Sequence, residues 1–201
     1  MKKRIVFATG NANKMREIRM ILKDLGLEIF SMKELGVDVD VEENGTSFEE
    51  NAEIKARAIA SYLKDDIILA DDSGLEIDYL DKAPGIYSAR FAGENTSYDI
   101  KNKMLLDKLE GVPEEKRTAR FVCVIAAVLP NGEVKTVRGT IEGIIGDKIS
   151  GENGFGYDPI FYLPEYGCST AELSMEKKNE LSHRGKALRA MKEELKKALE
   201  A

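Results

Sequence analysis

RFVCVIAAVLPNGEVKTVRGTIEGII, from Arg120 to Ile145, is the stretch on which the fold turns. Arg120 to Leu129 is the longest strand-like run of the chain, Pro130-Asn131-Gly132 is a strong turn signal, and Val134 to Ile145 alternates in character. Together they predict a central hairpin. Ahead of it, strands and helices take turns. Arg4 to Ala8 is apolar and β-prone. Met15, Ile18, Met20, Ile21, Leu22 and Leu25 then follow helical spacing until Gly26 supplies the stop, and Leu27 to Phe30 returns as a strand. Thr46-Ser47-Phe48-Glu49-Glu50 offers overlapping capping boxes for a helix to about Leu63. Ile67 to Ala70 reads as a buried strand and Leu75 to Asp78 continues with alternation. Thr96 or Ser97 can cap a helix through Leu109 with Ile100, Met104 and Leu105 inward. Past the hairpin, Ser169 to Glu172 is another capping box, and Leu188, Met191 and Leu195 share one face of a final helix. This order predicts an α/β fold: a central mixed sheet flanked by helices.

The chain has 201 residues, 43% hydrophobic and 33% charged, enough to bury a sizeable core as one domain, 1–201, with or without two lobes. A formal net charge of −6 argues against a nucleic-acid partner, which needs a basic face, but leaves room for a small anion bound locally. Cys123 and Cys168 lie far apart, so neither a redox pair nor a thiolate zinc site can be built, as in a reducing cytoplasm. The basic start Met1-Lys2-Lys3-Arg4 precedes too short an apolar run for a signal peptide, and no segment approaches the ~20 apolar residues of a membrane span. A cytoplasmic protein without membrane contact is expected. The absence of glutamine beside abundant Lys and Glu fits heat adaptation.

Six polar features carry chemistry. Thr9-Gly10-Asn11-Ala12-Asn13-Lys14 joins the first strand to the first helix, where free N–H groups and the positive helix end favour an anion; an Asn-capped helix with a surface lysine is the plainer reading. The Walker spacing is missing. Asp71-Asp72-Ser73-Gly74 follows Ile67 to Ala70, at what reads as the carboxyl end of a strand, where open α/β sheets place ligands. Adjacent carboxylates repel unless they share a cation or a proton, and oxygen ligands favour Mg²⁺ or Mn²⁺ over zinc. Glu42-Glu43 is either a further carboxylate source or a solvated acidic turn. Lys55 falls in the apolar stripe of the second helix and either snorkels or meets an anion. In Gly154-Phe155-Gly156-Tyr157-Asp158-Pro159, glycines allow close backbone approach beside two π-faces and an acceptor. Finally His183, the only histidine, and Arg184 follow Ser182, with Lys177 and Lys178 upstream. This donor-rich patch suits keto oxygens and phosphates.

Thr9 to Lys14, Asp71-Asp72-Ser73-Gly74-Leu75, Pro84-Gly85-Ile86-Tyr87-Ser88-Ala89-Arg90, Gly154 to Pro159 and Ser182-His183-Arg184-Gly185 together resemble the inosine triphosphate pyrophosphatase family, in order and spacing along nearly the whole chain. The resemblance implies an elongated, two-lobed α/β structure with the substrate in a cleft. It implies a homodimeric, Mg²⁺-dependent enzyme that splits ITP, dITP, XTP and dXTP into the monophosphate and pyrophosphate. It also implies roles: Thr9, Gly10, Asn11, Ala12, Asn13 and Lys14 hold the triphosphate with Lys55 nearby, and Glu43 and Asp72 bind the metal. Asp72 is also the general base and Ser73 touches the substrate. Phe155, Gly156, Tyr157 and Asp158 line the base pocket, and Lys178, His183 and Arg184 read the purine. A triphosphatase for pyrimidine or modified nucleotides and a nucleotide sensor without turnover are the rival readings, the sensor disfavoured by the paired Asp71 and Asp72.

Overall fold

The computed structural model describes residues 4–200; the basic start Met1 to Lys3 lies outside the described residues. Seven strands form one mixed sheet in the order β2-β1-β3-β4-β5-β6-β7. In chain order they are β1 (Arg4–Phe7), β2 (Glu28–Ser31), β3 (Ile67–Ile77), β4 (Thr118–Val128), β5 (Val134–Ile145), β6 (Phe161–Leu163) and β7 (Cys168–Ser169). The helices are α1 (Ala12–Leu22), α2 (Phe48–Ala60), α3 (Tyr98–Lys108), α4 (Met175–Leu181) and α5 (His183–Glu200). The chain forms two compact units: residues up to Asp72 with Cys123–Gly139 and those from His183 onward, and Ser73–Val122 with Thr140–Ser182. The expected hairpin is present as β4 and β5, neighbours in the sheet, and Gly132 takes the left-handed backbone (φ 85°) that its turn requires.

In the first unit β1 runs parallel to both β2 and β3, with Ile5 opposite Ile29 and Ile67. Its core gathers Ile5, Phe7, Ile18, Leu22, Leu69, Ile125, Leu188, Met191 and Leu195. α1 stops as expected, through a turn of tighter helix at Lys23–Leu25 and Gly26 in the left-handed region. Met20, expected in its apolar stripe, is exposed, and Glu17 is buried instead. α2 begins at the Ser47 cap, whose hydroxyl accepts from Glu50 N–H, while the Glu50 carboxylate accepts from Thr46 N–H. In the second unit β6 pairs antiparallel with β5 and β7 around a core that includes Leu75, Leu105, Phe121, Ile145, Tyr157 and Phe161.

Three further expectations need correction. Asp71 to Gly74 do not follow a strand's end: β3 runs unbroken from Ile67 to Ile77, so the acidic pair sits inside a strand. Buried partners from elsewhere in the chain, described below, satisfy the two carboxylates and outweigh their poor strand propensity. In α3, Ile100 (54% exposed) and Met104 (37%) face outward, and Lys101, Asn102 and Leu105 face inward. The inward polar groups find backbone acceptors: Lys101 Nζ donates to the Ala89 carbonyl at 2.6 Å and Asn102 Nδ2 to that of Gly156 at 3.1 Å. The Ser169 capping box closes on both sides, yet it opens only the single turn Thr170–Glu172; Ser174 caps α4, and the final helix α5 follows. Among the described residues, no helix is long and apolar enough to cross a membrane.

Candidate active site

The turn from β1 to α1 is shaped by its own side chains. Asn11 Oδ1 accepts from the N–H groups of Asn13 (2.9 Å) and Lys14 (3.2 Å), and Asn11 N–H donates to Thr9 Oγ1 at 3.1 Å. The cap therefore holds the loop in one conformation and α1 begins at Ala12. Among the described residues, its two chain neighbours aside, nothing stands within 4 Å of where a side chain on Gly10 would project. Lys14 turns toward the acidic pair: its Nζ lies 2.9 Å from Asp71 Oδ2, and Asp71 is 1% exposed. Burial alone would raise the Asp71 pKa, but the charges of Lys14, Arg184 and Lys55 outweigh it and hold the carboxylate well below its usual range. Thr9, Gly10, Lys14, Glu43, Lys55 and Asp71 line a cavity of about 240 Å³.

Asp72 is treated differently by its surroundings. Burial pushes its pKa up to about 6; the charges of Glu43 and Asp71 push the same way, against Lys55 and a hydrogen bond from Asn51. Lys55 is inward, as its place in the α2 stripe allowed, and its Nζ lies 3.1 Å from Glu43 Oε1. Its side chain is 16% exposed, and the anion it meets is a carboxylate of the protein itself. Glu43 and Asp72 are thus two carboxylates close enough to feel one another's charge. Among the described residues, no group of three or more His, Cys, Asp and Glu side chains could hold an ion by itself. That donor set fits Mg²⁺, which takes one or two protein carboxylates and completes its shell with water and phosphate oxygens. It does not fit a structural zinc cage.

The Gly154 to Asp158 loop belongs to the second unit, and Asp158 organises it. Its carboxylate accepts from Phe155 N–H (2.8 Å), Thr170 Oγ1–H (2.9 Å) and Lys178 Nζ (2.7 Å). Gly154 has φ 77°, and a side chain there would run into the Asp158 carboxylate and come within 3.1 Å of Lys178 Nζ, so glycine is required. Lys178 Nζ also lies 4.6 Å from the centre of the Phe155 ring. A cation and an aromatic face are presented together. Tyr157 is buried; its hydroxyl donates to the Ser88 carbonyl at 2.7 Å, and Asn102 ties down Gly156. Ser73 is half-buried in β3.

His183 and Arg184 open α5, as expected, and both are buried. The donor patch is nevertheless divided: Arg184 Nη1 lies 2.8 Å from Glu17 Oε2 and its Nη2 3.5 Å from Asp71 Oδ2, whereas Lys178 pairs with Asp158. Lys177 pairs with Glu180 at the surface of α4. Sequence reasoning missed Glu17 and Asn51. Glu17 carried a readable signal, a carboxylate between Met15 and Ile18 in an otherwise apolar helix face. Asn51 carried none, being one polar residue in a helix rich in them.

Comparisons with known proteins bear on the family and the fold. The model of a family described as the Ham1 family matches residues 5–194. A protein of Clostridium perfringens called dITP/XTP pyrophosphatase is 49% identical over 199 residues, covering 96% of this chain and 98% of its own. One of the same name from Caldanaerobacter subterraneus is 51% identical, with 98% of each chain covered. Among solved structures, the Ham1 protein of Staphylococcus aureus superposes with a TM-score of 0.87 at 44% identity, covering 98% of this chain and all of that one. A HAM1 protein from Coxiella burnetii gives 0.88 at 41% identity, with 97% of this chain and 99% of that one covered.

Proposed function

The chain belongs to the Ham1 family, and we infer from that membership and from its site that it is a nucleoside triphosphate pyrophosphatase. It hydrolyses the deaminated purine nucleotides ITP, dITP, XTP and dXTP to the monophosphate and pyrophosphate, and so cleanses the nucleotide pool. The observation that carries this reading is Asp72, buried among Glu43, Lys55 and Asp71 and raised to a pKa of about 6, next to a cavity lined by Lys14 and Lys55. Perturbed carboxylates in such places mark working sites.

Thr9, Gly10, Asn11, Ala12, Asn13 and Lys14, with Lys55, grip the triphosphate. Glu43 and Asp72 would hold the divalent cation, Mg²⁺ or Mn²⁺ in its place. When bound, such a cation neutralises charge on the phosphate oxygens. Water attacks the α-phosphorus, the α–β anhydride bond breaks, pyrophosphate leaves, and the proton of the attacking water passes to Asp72. Burial raises the Asp72 pKa to about 6 in the metal-free site, so the carboxylate is ionised at neutral pH and able to accept that proton. Lys14 and Lys55 oppose the charge that develops on the leaving oxygens.

Phe155, Gly156, Tyr157 and Asp158 line the base pocket, Ser73 touches the substrate, and Lys178, His183 and Arg184 supply donors to the purine. The 6-keto group of hypoxanthine or xanthine accepts a hydrogen bond where the 6-amino group of adenine donates one. Each buried donor left unpaired opposite adenine costs about 1 to 3 kcal/mol. Residues 1–201 act as one catalytic domain with two lobes. The protein works as a homodimer in the cytoplasm, with no part for nucleic acid or membrane. Steady-state kinetics on ITP, XTP and ATP test the base reading. Lys178→Ala, His183→Ala and Arg184→Ala should lower kcat/KM for ITP more than for ATP, and an unchanged ratio in all three variants would reject these residues as the purine readers.

A further inference from the structure

Asn51 lies in α2, is fully buried, and uses both ends of its amide. Its Oδ1 accepts from Gly45 N–H at 2.9 Å, and its Nδ2 donates to Asp72 Oδ2 at 3.1 Å. Chemistry leaves the amide one orientation. A backbone N–H can only donate, so the oxygen must face Gly45, which aims the NH₂ at a carboxylate that can only accept when ionised. Gly45 is two residues beyond Glu43, so this one side chain joins the strand carrying one carboxylate to the loop carrying the other. The junction is tight: a Cβ on Gly45 would stand 2.7 Å from Asn51 Oδ1 and 2.7 Å from Glu50 Cβ.

We propose that Asn51 is a positioning residue of the reaction, which holds Asp72 by Oδ2 and anchors the Glu43 loop through Gly45, so that Asp72 Oδ1 and the Glu43 carboxylate are kept ready for one divalent cation. The inference rests on the pyrophosphatase reading and adds a residue to it. Asn51 touches neither substrate nor reacting water. It acts by fixing groups that do, and buried partners of this kind typically matter by about 10- to 100-fold in metal affinity or activity.

Two substitutions attack the link from opposite sides without changing charge. Asn51→Leu keeps the shape and removes both hydrogen bonds, and Gly45→Ala leaves Asn51 in place but pushes its amide aside. Two readouts apply: Mn²⁺ binding to the nucleotide-free protein, followed by the paramagnetic resonance of free Mn²⁺, and kcat and KM for ITP at saturating Mg²⁺. Both variants should bind Mn²⁺ about 10- to 100-fold more weakly and lose kcat by a similar factor, with KM within about twofold of wild type. A residue that only packs α2 would lower the melting temperature and leave the Mn²⁺ affinity and the kcat of the folded protein untouched; that outcome overturns the proposal. If Asn51→Leu fails to fold, Gly45→Ala decides by the same two readouts. Wild-type protein that neither binds Mn²⁺ nor turns over ITP would defeat the pyrophosphatase reading itself. Wild type that does both, matched by its variants, would defeat only the role of Asn51.

Discussion

Above a pH of about 6, Asp72 is an anion kept in a buried place beside two other carboxylates, a condition that serves chemistry and strains the fold. The sign of the effect follows from linkage. The folded carboxyl holds its proton to about pH 6 while an ordinary one releases it near 3.8, so the folded state binds more protons between those values. The contribution of Asp72 to the stability of the metal-free protein must fall as pH rises through that window, by an amount on the order of 2 to 3 kcal/mol. Asp72→Asn should therefore abolish nearly all turnover yet melt higher than wild type at pH 8 without metal, and the advantage should vanish near pH 4. Calorimetry at the two pH values, with an ITP assay, checks both halves. Lys55 gives a second residue-level test, because its charge depresses the Asp72 pKa. Lys55→Met keeps the apolar stem. It should raise KM for ITP and move the acid limb of kcat/KM to higher pH, and a pH–rate profile that stays in place would contradict the assigned contact.

At the scale of elements, much of the fold was legible in the sequence and the reasons are local. Gly26 ended α1, Pro130-Asn131-Gly132 joined β4 to β5, and Leu188, Met191 and Leu195 marked the buried face of α5. What could not be read depended on partners distant in sequence. Asp71 and Asp72 look like the end of a strand until Lys14, Arg184 and Asn51 arrive from three helices to satisfy them. The face of α3 was misjudged for the same reason: Lys101 and Asn102 are inward because carbonyls of Ala89 and Gly156 receive them, which no periodicity encodes. For Lys14 and Lys55 the sequence left a surface or snorkelling reading open beside the anion one, and the partners that Asp71, Glu43 and Glu17 provide to Lys14, Lys55 and Arg184 were not foreseeable. Gly139 sets where α5 begins. A Cβ there would collide with the His183 carbonyl and lie 2.7 Å from Ala187 N, so the helix start packs directly on β5. Gly139→Ala should cost about 1 to 3 kcal/mol. It should lower activity as well, since His183 and Arg184 occupy that first turn; a melting temperature equal to wild type would show that the helix can retreat freely.

For the molecule as a whole, each compact unit has its own core and its own set of polar residues. The first holds the loop at Thr9 to Lys14 with Glu43, Lys55, Asp71, Asp72, His183 and Arg184; the second holds Phe155, Asp158 and Lys178. A net charge of −6 surrounds these lysines and arginines, so their cationic character is local and bought by buried carboxylates rather than by a basic surface. The central claim is where the triphosphate is cut. Phosphorus resonance of ITP incubated with the protein and Mg²⁺ answers it directly. The account predicts IMP and pyrophosphate in equal amounts, no IDP or orthophosphate, and no reaction when the cation is chelated. IDP with orthophosphate, or cleavage that persists without a divalent cation, would contradict it.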